Sequence, residues 1–103
     1  MSGNLLANIP AALPEELVEV LAKGDGVRIE RIVSKGHTSS EGFWYDQDEN
    51  EFVLLLQGEA GIEFESGSKQ LKSGDWLLIP AHQKHRVIRT SREPVAVWLA
   101  VFF

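Results

Sequence analysis

The chain has no cysteine, which rules out disulfide cross-links, zinc–thiolate sites and thiol nucleophiles and leaves packing alone to hold the fold. Basic residues are also short. Ten lysines and arginines stand against fifteen aspartates and glutamates, for a formal charge of −5. The basic residues are scattered, so the balance argues against nucleic acid and anionic membrane as partners. No long apolar run is present. The longest, Val95 to Phe103, covers nine residues, where a helix needs about 20 to cross a bilayer. Met1-Ser2-Gly3-Asn4 does not lead from a basic segment into an apolar core, so no signal peptide is expected and the cytoplasm is the expected location. There is no glycine-rich phosphate loop, no serine in a nucleophile-elbow frame and no internal repeat. The 103 residues suffice for one domain with one modest core.

What the chain does have is a stretch built to hold a site. Gly74-Asp75 reads as a turn, and Trp76-Leu77-Leu78-Ile79 as a short strand too apolar to face water on either side. Pro80 cannot donate to a ladder and ends that strand. His82 and His85 follow, and His85 opens a further extended run, His85-Arg86-Val87-Ile88-Arg89. On either side the pattern is that of an all-β chain. Glu51-Phe52-Val53-Leu54-Leu55-Leu56-Gln57 is apolar on both parities, with a carboxylate at its start that needs a mate. Gly58-Glu59 signals a turn. Ala60 to Glu65 alternates, and Ser66-Gly67-Ser68 closes a hairpin. Val95 to Phe103 is apolar on both faces. As a free terminal strand it would invite aggregation, so a second subunit or the N-terminal arm is expected to cover it. About eight short strands with regular turns point to a jelly-roll barrel.

Two domain parts are expected: an arm and helix over residues 1–26, packed on a barrel over residues 27–103. The helix rests on Pro14-Glu15-Glu16 as a start, on an apolar stripe at Leu13, Leu17 and Leu21, and on Lys23-Gly24 as a stop. Val27 to Ser34 alternates as a strand in which Arg31 shares parity with Val27, Ile29 and Val33. A bulge that shifts the register is expected there, the alternative being an arginine that points inward to a substrate carboxylate or Glu51. His37 lies in the polar loop Ser34 to Gly42 and is expected to be solvated. Phe43-Trp44-Tyr45 forms a short aromatic strand.

These residues resemble the cupins. Gly74, Pro80 and His85 fit the spacing of the second cupin motif, with His82 where a glycine usually stands. Glu51 and Gly58 fit the first motif. The two histidines of that motif are absent, and Tyr45 and Gln47, or Trp44 and Asp46, occupy their places. The resemblance runs over residues 27 to 103. It implies a double-stranded β-helix and a central pocket holding one divalent metal (iron, manganese, nickel or zinc) through Glu51, His85, His82 and Asp46. Such an ion requires three or more donors within about 2.0 to 2.3 Å. His82 and His85, three apart, point opposite ways on a strand, so both bind only if the chain turns sharply after Pro80. The alternative for Glu51 and His85 is a simple hydrogen bond across the barrel.

Tyr45 and Gln47 are the expected substrate-binding residues, with Trp44 and Trp76 at the rim. The resemblance leaves the reaction open between metal-assisted dioxygenase, isomerase or decarboxylase-like chemistry on a small organic metabolite, a metal-free epimerase, and a non-catalytic binding or sensing module. A small-molecule ligand and a homodimer joined partly through a terminal strand complete the expectation.

Overall fold

Alternating apolar residues broken by Asp-Gly and Gly-containing turns leave the backbone little choice but antiparallel ladders. A computed structural model describes residues 1–103. It contains eight strands and no helix: β1 (Leu17–Gly24), β2 (Val27–Ser34), β3 (Glu51–Gln57), β4 (Glu59–Phe64), β5 (Gly67–Lys72), β6 (Trp76–Ile79), β7 (His85–Thr90) and β8 (Ala96–Phe102). They form a five-stranded sheet in the order β1-β2-β8-β3-β6 and a three-stranded sheet in the order β5-β4-β7, all antiparallel. The two sheets close over a core of Val53, Leu55, Ala60, Ile62, Leu71, Ile79, Ala96, Trp98, Ala100 and Phe102. This is the expected jelly roll. No helix is long and apolar enough to cross a membrane.

The expected N-terminal helix is instead strand β1. The Leu13, Leu17, Leu21 spacing of four fits a helical stripe and the parity of a strand equally well, and β1 takes up one extra residue, Leu21, in a bulge between Val20 and Ala22. The stronger signal is Asp25-Gly26, the two residues left between Gly24 and its partner Val27. Such a pair, with Gly26 at φ 71°, closes a tight hairpin. Val18 and Val20 add β-branched residues on one face.

Strand β2 also departs from expectation. It runs in unbroken register on β8, from Arg28 opposite Phe102 to Ser34 opposite Ala96. The bulge lies in its other neighbour, β1. Arg28, Glu30 and Ile32 face the barrel interior, whereas Arg31 faces outward. Its guanidinium bonds Glu19 and the carbonyls of Leu5 and Ala7 (3.0 and 2.7 Å), leaving Arg31 only 6% exposed. The arm therefore crosses the outer face of β1 and β2, and Lys35 Nζ holds it again at the Ala11 carbonyl, 3.1 Å. Outer-face Val33 and Val97 are fully buried on this side. Replacing Arg31 by alanine strands these acceptors and is expected to cost about 3 kcal/mol. Thermal denaturation measures the loss, and proteolytic cutting within residues 1–12 at temperatures where wild type resists shows the released arm.

The C-terminal strand is not an edge. β8 is paired with β2 on one side and β3 on the other, so the exposed-strand argument for a covering subunit does not apply to it. The free edges of the large sheet are β1 and β6.

Candidate functional site

Glu51 opens β3 in the large sheet and His85 opens β7 in the small one. Strand parity aims both inward, where His85 Nε2 lies 3.4 Å from Glu51 Oε1. Both side chains are nearly buried, 6% and 12% exposed. His85 Nδ1 is 2.9 Å from the carbonyl of Gln83. A carbonyl only accepts, so Nδ1 carries a proton, and Nε2 can donate to Glu51 only as the second proton of an imidazolium. The pKa follows. Burial pulls the imidazole down, but the Glu51 hydrogen bond, the Gln83 carbonyl and the Glu51 charge outweigh it and raise the pKa above the ordinary 6.5.

Tyr45 reaches the pair through a single β-bridge, with Tyr45 N–H donating to the His85 carbonyl at 2.7 Å and His85 N–H to that of Tyr45 at 3.1 Å. The phenol ring stacks on the imidazole, centroids 5.3 Å apart. Its hydroxyl is raised above 10.0 by burial first and then by the charges of Glu16 and Glu51, so it stays protonated at neutral pH. Gln47 Nε2 approaches Glu51 Oε1 at 3.5 Å. Its Oε1 is buried without a hydrogen-bond partner.

These groups line a cavity of about 380 Å³. Val53, Ile62, Ile79, Val87, Trp98 and Phe102 supply apolar walls, and Arg28, Glu30, Glu49 and Glu16 supply charge. Arg28 Nε donates to Glu30 at 2.7 Å and Nη1 to Glu49 at 3.2 Å, while the guanidinium lies 4.3 Å from the centre of the Phe102 ring.

The four expected metal-site residues fall into two separate pairs. Glu51 and His85 line the cavity; His82 and Asp46 do not. The chain does turn sharply after Pro80, with His82 at φ 65°, the left-handed region that suits the usual glycine. The turn sends the imidazole outward, 64% exposed, to Asp46 at 2.8 Å and Asp48 at 3.5 Å. Of the expected rim, Tyr45 and Gln47 line the cavity. Trp44 instead sits under Arg86, 4.3 Å from ring centre to guanidinium, and Trp76 stacks on Phe52 at 5.5 Å. His37 is tied into its own loop, its Nδ1 accepting from the Lys35 amide at 2.8 Å. Trp98, Arg28, Glu30, Glu49 and Glu16 are pocket residues that sequence reasoning missed.

Two face-to-face antiparallel sheets with a buried imidazole–carboxylate pair on the wall of an enclosed cavity define a jelly-roll protein of the cupin type. A family model described as "Cupin domain" matches residues 29–102, and the chain belongs to that family. Among solved structures, it is similar to a candidate mannose-6-phosphate isomerase from Ralstonia eutropha JMP134, with 43% identity over 99% of this chain and 96% of that one and a TM-score of 0.95. A cupin superfamily protein from Desulfitobacterium hafniense DCB-2 is 27% identical over 92% of this chain and 83% of that one, TM-score 0.77. KdgF from Halomonas sp. shares the fold at 16% identity over 90% and 83% of the two chains, TM-score 0.73. No curated protein matches the sequence.

The fold implies a metal, and the donors present test that implication. No group of three or more histidine, aspartate or glutamate side chains converges in the structure. Beside His85 stands one carboxylate, Glu51, already in contact with it, and the next donor is the neutral amide of Gln47; of the other carboxylates on the cavity wall, Glu30 and Glu49 are taken by Arg28 and Glu16 by Ser34. That set does not fit a tightly held first-row transition metal, which requires three strong donors.

Proposed function

We propose that this cupin binds a small organic molecule inside the barrel and transfers protons to and from it without a resident transition metal, an isomerase-like role. The observation that supports the reading best is the His85–Glu51 pair, enclosed at 3.4 Å with the Tyr45 ring stacked on it, where family metal ligands are replaced by Tyr45 and Gln47. Isomerisation of a hydroxycarbonyl compound moves a proton between neighbouring carbons, which needs a base at carbon and a donor at oxygen. The Glu51 carboxylate is the base. The Tyr45 hydroxyl, kept protonated by burial and by the nearby carboxylates, is the donor, and His85, whose two ring nitrogens are taken by Gln83 and Glu51, positions the base. The similarity to a candidate sugar-phosphate isomerase supports the reaction type.

Protein purified without chelator is expected to contain well under one iron, manganese, nickel or zinc per chain. It is also expected to catalyse deuterium exchange at the carbon next to the carbonyl in a panel of aldoses and ketoses in heavy water, followed by NMR. Chelator leaves that exchange unchanged, and His85→Ala removes it. A stoichiometric metal lost together with the exchange overturns the metal-free reading. Ligand-induced thermal stabilisation with no exchange replaces catalysis by a binding or sensing role.

A further inference from the structure

The charge of the cavity restricts what can enter it. Four carboxylates line the cavity, Glu30 and Glu51 inside it and Glu16 and Glu49 on its more open side, against one guanidinium and one imidazole. Neither cation is free. Arg28 is held between Glu30 and Glu49 with its face on Phe102, and His85 is committed to Glu51 and Gln83. Even with His85 charged, two negative charges remain uncompensated.

A second, independent feature has the same polarity. Gln47 Oε1 is buried and meets no donor. The amide cannot simply be reversed, since that would set its oxygen against Glu51 Oε1, now 3.5 Å from Nε2. Gln47 Oε1 is a desolvated acceptor, and a buried acceptor of that kind costs about 1–3 kcal/mol until a donor reaches it. Gln47 itself lines the cavity, so a small turn of its side chain offers this acceptor to a donor on the ligand.

We propose that the molecule this pocket selects carries a protonated amine on a small neutral body, and that the pocket rejects a phosphate ester. The ammonium donates to Gln47 Oε1 and lies in the field of Glu51 and Glu16, the two carboxylates that also act on Tyr45. The neutral body packs on Trp98 and the aliphatic walls. A phosphate in the same place meets surplus carboxylate and no available cation, because Arg28 would first have to break two ion pairs. The inference rests on the reading of the cavity as a small-molecule site and narrows the ligand's class within it. It separates this chain from the sugar-phosphate chemistry in the description of its 43% identical relative.

Three hexose derivatives of different charge make the comparison: cationic glucosamine, neutral mannose and anionic mannose 6-phosphate, each titrated calorimetrically into the full chain at pH 7 and low ionic strength. Glucosamine is expected to bind at least about tenfold more tightly than mannose, and mannose 6-phosphate more weakly than either, with the preference shrinking as salt is added. Glu16→Gln, which keeps an acceptor for the Ser34 hydroxyl, now 2.7 Å from Glu16 Oε2, is expected to lower glucosamine affinity several-fold and leave mannose unchanged. Gln47→Leu is expected to lower it further. Tightest binding of mannose 6-phosphate, or equal binding of all three, overturns the charge inference and leaves the pocket reading standing. No binding of any of the three, with no thermal shift, overturns both.

Discussion

Gly58→Ala is expected to destabilise the protein by about 3 kcal/mol or more, as a sum of backbone strain and overpacking. Gly58 is the single residue between β3 and β4, where the chain leaves the five-stranded sheet and enters the three-stranded one. Its φ of 88° lies in the left-handed region, which a side chain makes costly. There is also no room. A Cβ built there would lie 2.6 Å from Ser91 Oγ, 2.9 Å from Ala96 Cα and 2.9 Å from the Val95 carbonyl. Two of those atoms are backbone of the segment leading into β8 and cannot turn aside. Ser91 Oγ is itself engaged, accepting from the Glu59 amide at 3.0 Å and donating to the Pro94 carbonyl at 2.6 Å. Chemical denaturation of the variant beside wild type measures the loss. A midpoint within error of wild type would show that the corner can open without cost. The variant also acts on the site, because this corner fixes the offset between the sheet carrying Glu51 and the sheet carrying His85.

The second large effect concerns the pair itself. Glu51→Gln is expected to lower the pKa of His85, because it removes a negative charge from beside a buried imidazole while the burial that opposes protonation remains. In wild type the folded state holds the His85 proton more tightly than the unfolded chain does. That contribution to stability is complete below about pH 6.5, the unfolded value, and is lost as pH rises through the higher folded pKa. The difference in melting temperature between wild type and variant is therefore expected to be largest in acid and to narrow above neutrality. The chain has three histidines, so NMR titration of their ring protons reports His85 directly. A His85 titration that is the same in both proteins would mean that the 3.4 Å approach has no electrostatic consequence. Deuterium exchange on sugars is expected to fall at least about 100-fold in the variant, the scale of a lost general base.

Much of this arrangement was legible before any coordinates. The glycine, proline and apolar spacings located β3, β4, β6, β7 and β8, and the motif frame brought Glu51 and His85 to one cavity from 34 residues apart. The failures have physical causes. A strand covered on both faces has no polar parity to mark its inner side. β2 is such a strand, because the N-terminal arm lies on its outer face, and its alternation could not say that Arg28 rather than Arg31 enters the pocket. The pocket's acidic lining was hidden for the same reason, since Glu30 shares the parity of Arg28 and Glu49 reads as part of a turn. His82 was undecided because its direction depends on one left-handed residue. In β1, leucines four apart share a face on a helix and a parity on a strand, so their spacing could not separate the two.

The position of β8 governs when this molecule can exist at all. Without it the large sheet is two unconnected strand pairs, β1 with β2 and β3 with β6, and the cavity lacks Trp98 and Phe102. Those last strand residues are also the last of the eight to leave a ribosome, so no earlier length of nascent chain can close the sheet. Assembly on the ribosome must wait for them, and a chain stopped before residue 96 is expected to remain a substrate for chaperones and proteases.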